Sequence, residues 1–93
     1  MKLIEKVIED GEEIIYDIFL SGFHSVQPSL LERLDQFSKL CEKAGAKKGE
    51  ELSKRLRDGL NRRISSFDGD ISELSKIFSQ FEFYIRVAKK IYL

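Results

Sequence analysis

The amino-acid sequence predicts an all-α protein, a compact antiparallel four-helix bundle. Apolar residues recur at steps of three and four along four separate stretches, which is the period of an α-helix. Residues that break helices are scarce, because the 93 residues include one proline and six glycines. Short connections join the four stretches, so each helix is expected to pack antiparallel to the next within a single domain, residues 1–93.

The first helix is predicted from about residue 2 to residue 20. Its apolar positions step by 4, 3, 4 and 3, and they are Ile4, Ile8, Gly11, Ile15 and Ile18. A glycine inside a helix costs about 1 kcal/mol relative to alanine. We therefore expect a kink or close packing at Gly11, with a break into two short helices as the alternative.

The second helix is predicted over about residues 29–43, with Leu30, Leu34, Phe37, Cys41 and Ala44 as its apolar positions. Ser29 and Glu32 match the capping-box pattern, in which each side chain binds a free backbone N–H at the helix start. Pro28 would then lie just before the cap. Alternatively, Pro28 is itself the first helical residue, a position whose backbone N–H makes no hydrogen bond within the helix, so the lack of an N–H in proline has no cost there. Gly45 suits the left-handed conformation that ends a helix.

The third helix is predicted over about residues 47–66. Its apolar stripe consists of Leu52, Leu56, Leu60 and Ile64, together with Gly59 and Phe67. Asp68-Gly69-Asp70 is expected to form a tight turn. The fourth helix then runs over about residues 71–92, with Asp70 and Glu73 as a second cap-like pair.

The apolar face of helix four is wider than one bundle seam needs. One line of this face is Ile71, Leu74, Phe78, Phe81, Ile85, Ala88 and Tyr92, and a second line is Ile77, Tyr84 and Ile91. The surplus predicts either deep burial or an exposed patch that docks a protein partner or a second copy of the chain. We expect Phe78 and Phe81 in the core. The candidate partner-binding residues are Ile77, Phe83, Tyr84 and Ile91.

The net charge of zero, from 16 basic and 16 acidic side chains, conceals a polarised molecule. The third helix has seven basic and three acidic residues, and residues 1–20 have two basic and six acidic ones. A basic helix can follow a phosphate backbone, so the alternative function is nucleic-acid binding. Otherwise helices one and three lie side by side, or beside a second copy, with complementary charges. The residues of the alternative are Lys54, Arg55, Arg57, Arg62 and Arg63.

No constellation of catalytic or metal-binding groups is evident. The one histidine, His24, and the one cysteine, Cys41, fall short of the three or four ligands that a zinc site needs. We expect His24 to be a corner residue that hydrogen-bonds locally or faces solvent, and the acidic residues 9–13 to form a solvated helix face. The expectation is therefore a protein that is not an enzyme and has no cofactor, metal or small-molecule substrate.

The sequence contains no signal-peptide pattern and no apolar run of the roughly 20 residues that a membrane span needs. One cysteine cannot form an internal disulfide. We therefore expect a cytoplasmic protein without a membrane partner.

The middle of the chain reads Asp17-Ile-Phe-Leu-Ser-Gly-Phe-His-Ser-Val-Gln-Pro-Ser-Leu-Leu-Glu-Arg-Leu34 and continues into Cys41-Glu-Lys-Ala-Gly45 and Glu51-Leu-Ser-Lys-Arg-Leu56. Residues 17–56 thus resemble the helical segments that accompany the SWIM-type zinc finger in bacterial proteins. The shared features are a helix ending in a small residue and Gly, a short link, and two Leu-rich helices. The zinc-binding Cys and His motif is absent, so no metal residue is implied. The resemblance implies an accessory helical domain rather than an enzyme.

Overall fold

The computed structural model describes residues 2–23, 25–66 and 71–93. These residues form four α-helices, α1 (Leu3–Ser21), α2 (Pro28–Ala44), α3 (Lys47–Ser66) and α4 (Ile71–Tyr92). The predicted all-α four-helix bundle is confirmed, and every helix begins and ends within one residue of its expected bound. His24, Phe67 and the turn at residues 68–70, including the predicted cap at Asp70, lie outside the described residues.

The helices form a ring in which each one packs against two neighbours. Helix α2 lies between α1 and α3, and α4 closes the ring between α3 and α1. Within the described part of the chain, α1 and α3 lie on a diagonal and do not pack together. The expectation that helices one and three lie side by side within the molecule is therefore wrong, because the acidic first helix has α2 and α4 as its neighbours.

The core consists of apolar side chains from all four helices. The Phe37 and Phe81 rings meet edge to face, with centroids 5.4 Å apart. A buried polar pair joins α2 to α3, since the hydroxyls of Ser38 and Ser53 are 2.7 Å apart. The buried apolar residues are Val7, Ile8, Ile14, Ile18, Leu30, Leu34, Phe37, Cys41, Leu52, Leu56, Leu60, Leu74, Ile77, Phe81, Ile85 and Ala88.

Helix α1 is continuous through Gly11, so the alternative of two short helices is wrong and close packing is the outcome. A Cβ atom at Gly11 would lie 2.5 Å from Cδ1 of Ile85 on α4. No larger residue fits there without movement of α4 side chains. The absent side chain thus lets α1 and α4 approach each other closely.

Helix α2 begins at Pro28, with Gln27 as the N-cap residue and no side-chain cap hydrogen bond. The predicted capping box of Ser29 and Glu32 is therefore wrong. Proline at the first helical position has its φ already set for a helix, so the helix starts one residue earlier and Ser29 lies inside the first turn.

Helix α2 ends at Gly45 in the left-handed conformation, as predicted. Gly45 has φ 74° and ψ 17°. Its N–H donates to the carbonyl of Glu42 at 3.2 Å, and the N–H of Ala46 donates to the carbonyl of Cys41 at 2.8 Å. These two bonds form a Schellman motif, which satisfies carbonyls that the helix end would otherwise leave free.

The connection between α1 and α2 docks onto the bundle. Gly22, with φ 70°, ends α1 and donates its N–H to the carbonyl of Ile18 at 2.8 Å. Phe23 and Val26 then pack against the core. The Phe23 ring meets the Phe78 ring edge to face at 5.8 Å, which ties this corner to α4.

Candidate functional site

The four residues expected to form a partner-binding line on α4 do not share one surface. Ile77 is 4% exposed and belongs to the core, so its placement on a surface is wrong. The side of α4 that faces the core lies between the two predicted lines, so it includes Ile77 from the second line as well as residues from the first. Phe83 and Ile91 are 59% and 67% exposed. Phe81 is buried as expected, and Phe78 is half-buried.

Tyr84 is a contact within the bundle. A Cβ atom at Gly49 of α3 would lie 2.9 Å from Cε2 of Tyr84 and 3.0 Å from Sγ of Cys41, so the tyrosine ring lies directly over this glycine. Burial, followed by the nearby Cys41, raises the pKa of the Tyr84 hydroxyl. Tyr84 therefore holds α4 against α3, and Ile91 lies about two turns further along the same side.

Three large aromatic side chains that are more than half exposed, Tyr16, Phe19 and Phe83, lie on the face that α1 and α4 share, which we call the α1–α4 face. Phe19 is 77% exposed and Tyr16 is 62% exposed. Two adjoining grooves run beside them, and both grooves include Ile15 and Phe19 in their lining. Phe78 and Phe83 of α4 line the opposite wall of one groove.

The asymmetry between the two halves of the bundle is large. Among the described residues, every large apolar side chain that is exposed belongs to α1, to α4 or to the last residue. These are Leu3, Tyr16, Phe19, Leu20, Ile71, Phe83, Ile91, Tyr92 and Leu93. Helices α2 and α3 instead present polar side chains to solvent.

Charged groups border the apolar part of the α1–α4 face. Nζ of Lys89 lies 2.9 Å from Oε2 of Glu12, which links α4 to α1. Arg86 lies 3.4 Å from the carboxylate of Glu82, and its guanidinium carbon is 5.6 Å from the centre of the Phe83 ring. An aromatic centre with a charged rim is the usual anatomy of a protein-binding surface.

The contribution of α1 to this face is not among the sequence predictions. Tyr16 and Phe19 lie off the predicted core stripe of Ile8, Gly11 and Ile18, and this displacement is the signal that would have found them. The adjacent pair Ile14 and Ile15 is ambiguous by period alone. The structure buries Ile14 and leaves Ile15 half-buried in the groove.

The basic residues of α3 are partly engaged with carboxylates. Nζ of Lys54 lies 2.9 Å from Oε1 of Glu50. Nε of Arg57 lies 3.3 Å from Oδ1 of Asp35 on α2, without hydrogen-bond geometry. These pairs lower the positive potential that α3 can offer to a phosphate backbone. Nucleic-acid binding through Lys54, Arg55, Arg57, Arg62 and Arg63 stays a prediction.

The side chains suited to catalysis or metal binding show no grouping across the described ranges. Cys41 is fully buried, and burial, followed by the charge of Glu50, raises the pKa of its thiol to about 12. Residues 2–23, 25–66 and 71–93 contain no cluster of three histidine, cysteine, aspartate or glutamate side chains that could hold a metal ion. None of the described helices combines the length and apolar character needed to cross a membrane.

Comparison with protein-family models, curated proteins and solved structures finds no match to this chain. The resemblance of residues 17–56 to segments accompanying SWIM-type zinc fingers therefore stays a prediction.

Proposed function

We propose that this protein is a non-enzymatic helical interaction or accessory module that docks another protein chain on the α1–α4 face. The observation that supports it best is the exposure of Phe19, at 77%, beside a groove that also exposes Phe83. An aromatic cluster of this kind is costly to leave in water and is typical of interaction sites.

The gain from covering this cluster is considerable. Full burial of one large apolar side chain stabilises by about 1.5–3 kcal/mol relative to exposure. Tyr16, Phe19 and Phe83 are each more than half exposed, so a partner that covers all three gains several kcal/mol, roughly 3–6. Aromatic residues surrounded by a polar rim dominate binding energy in measured interfaces.

The bundle also holds the α1–α4 face in a fixed shape. The close contact of Gly11 with Ile85 fixes the distance between the two helices beneath the groove. The Glu12–Lys89 ion pair crosses from α1 to α4 at one end, and Phe23 packs on Phe78 at the other. A pre-organised surface loses less conformational entropy on binding.

The proposal includes a cytoplasmic location and a protein partner, with no cofactor, metal or small-molecule substrate. The single cysteine, fully buried, supports a chain that needs no disulfide. The resemblance of residues 17–56 to accessory helical segments is in keeping with this role.

The proposal can be tested by capture with matched variants. Three tagged proteins are compared: the wild type, Phe19→Glu and Ile91→Glu. Each is produced in cells together with an untagged copy of the same chain. The polypeptides that remain bound to the tagged protein are identified by mass spectrometry. Ile91 is as exposed as the tested aromatics but lies on the α3 side of α4, so it is the matched control. Wild type and Ile91→Glu should retain the same polypeptide, and Phe19→Glu should lose it at least tenfold, because a charge is buried without a partner. Equal retention by all three, or no specific retention, would reject the proposal.

A further inference from the structure

We infer that the α1–α4 face binds a second copy of itself, in a two-fold dimer in which α1 of each protomer packs antiparallel on α4 of the other. This inference rests on the proposed function, since it names the occupant of the same face. The charge pattern, the size of the face and the zero net charge of the chain together point to this occupant.

Two stripes of residues outside the core, one on α1 and one on α4, follow the spacing of a helix–helix seam and run through residues that line the two grooves. The acidic-aromatic stripe on α1 steps by 4, 3, 4 and 3, and the basic-aromatic stripe on α4 steps by 3, 4, 3 and 4. The first consists of Glu5, Glu9, Glu12, Tyr16 and Phe19, and the second of Lys76, Ser79, Phe83, Arg86 and Lys90. All are exposed except the half-buried Glu5. Such spacing fits another helix.

The antiparallel packing of α1 on α4 gives the face two different ends. Glu12 lies beside Lys89, so the acidic half of the α1 stripe is level with the basic end of α4. Phe19 lines a groove with Phe78 and Phe83, so the aromatic residues of both stripes gather toward the opposite end. One end of the face thus has the Glu12–Lys89 ion pair, and the other is mainly aromatic with Lys76 at its edge.

Two such faces can stack about a two-fold axis in two ways. An axis parallel to the helices places aromatic end on aromatic end and sets the acidic stripe of α1 opposite the basic stripe of the partner's α4. An axis across the helices places α1 on the partner's α1, with Phe19 near the partner's carboxylates. The first arrangement pairs opposite charges and aromatic with aromatic, so it is favoured over the second.

The level of Glu12 with Lys89 also sets the pairs expected across the dimer. Glu9 falls within one turn of the partner's Lys90, and Phe19 falls within one residue of the partner's Phe83. Because the contact is two-fold, each pair occurs twice. The dimer therefore has aromatic contacts at one end and two sets of ion pairs at the other.

The size of the face suits a stable dimer. The bundle measures 38 by 20 by 20 Å between Cα atoms, so one long face is about as large as the 800 Å² that each partner buries in a standard interface. The net charge of zero leaves no overall repulsion between two copies. A self-complementary contact needs both charge signs on one surface, and the α1–α4 face has both.

The dimer is tested by sedimentation equilibrium of the purified chain and five variants, four single and one double. Phe83→Glu should abolish the dimer, and Ile91→Glu should leave it unchanged. Glu9→Lys and Lys90→Glu should each weaken self-association about tenfold, because two ion pairs become two repulsive contacts. The double variant Glu9→Lys with Lys90→Glu should restore it, because each pair is then rebuilt with reversed signs.

Two results would overturn the inference. A wild-type chain that stays monomeric up to about 1 mM excludes a useful self-affinity, and the proposed function survives that result if capture of a different protein is lost in Phe19→Glu. A dimer whose double charge variant is as weak as, or weaker than, the two single variants excludes the packing of α1 on the partner's α4. In the alternative packing of α1 on α1, reversal of both signs rebuilds no pair.

Discussion

Cys41 shows how far burial alters a single side chain. It is fully buried between α2 and α3, where its sulfur lies against Gly49, and Tyr84 covers the same glycine. Burial, followed by the negative charge of Glu50, raises the pKa of the thiol from 9.0 to about 12. The thiol is therefore a packing group, and it stays protonated at pH values where an exposed thiol ionises.

This pKa predicts a loss of stability in alkaline solution. The unfolded chain releases the thiol proton near pH 9, whereas the folded chain retains it until about pH 12. The contribution of Cys41 is therefore fully present below pH 9 and is lost as the pH rises toward 12. Between pH 9 and 10.5 the loss should be about 2 kcal/mol, at about 1.4 kcal/mol per pH unit.

Urea denaturation at pH 8 and pH 10.5 measures this loss. Cys41→Ala is the control, because it keeps the other titrating groups, including Tyr84, whose pKa stays raised by burial, the largest cause, after the contribution of Cys41 is removed. The wild type should lose about 2 kcal/mol more than the variant over this interval. Equal losses in both proteins would show that the thiol does not titrate as described.

At the residue scale, periodicity identifies most of the core but not the edges of each helix face. Leu30, Leu34 and Phe37 are predicted and buried. Neighbouring apolar residues such as Ile14 and Ile15 differ by 100° around the helix, and the sequence does not say where the adjoining helices lie. The sequence pattern does not place Ile77 correctly for the same reason, since its burial depends on where α3 and α1 pack against α4.

At the element scale, the close approach of α1 and α4 depends on Gly11. Alanine at this position improves helix propensity by about 1 kcal/mol. Its Cβ atom, however, would lie 2.5 Å from Cδ1 and 2.9 Å from Cγ1 of Ile85, which is itself buried. Overpacking of a buried contact costs about 1–3 kcal/mol, so Gly11→Ala should destabilise the bundle by up to about 2 kcal/mol.

Combination with Ile85→Val isolates this contact, because valine lacks the Cδ1 atom. Ile85→Val alone should cost about 0.5–1.5 kcal/mol. In the double variant the cost of alanine at position 11 should shrink by about 1 kcal/mol, as measured by urea denaturation. Strict additivity of the two changes would mean that the helices do not meet at this point.

The helix ends show which local signals are reliable. Gly45 was predictable because only glycine readily adopts the left-handed conformation after a helix. The pattern Ser29–Glu32 was misleading because a preceding proline offers a competing start, and Pro28 prevailed. The apolar period that continues through Gly11 predicted a single α1, whereas Ile85, which packs on Gly11, is distant in sequence, so no local signal could have identified this contact.

At the scale of the whole molecule, the net charge of zero results from an acidic first helix that balances a basic third helix. The sequence predicts an acidic first helix and a basic third helix, and it leaves open whether they meet within the molecule or between copies. The ring order of the helices sets α1 beside α4 instead. A single sequence contains no information on ring order, and this explains why the contribution of Tyr16 and Phe19 to the α1–α4 face was missed.

The most direct test of the α1–α4 face is a dilution series followed by backbone amide NMR of uniformly labelled protein. The proposed self-association predicts that shifts between about 1 mM and 10 µM are confined to residues 9–20 and 76–90, with α2 and α3 unchanged. Phe83→Glu should show no concentration dependence. Shifts centred on residues 47–64, or none in any helix of the wild type, would contradict self-association through this face.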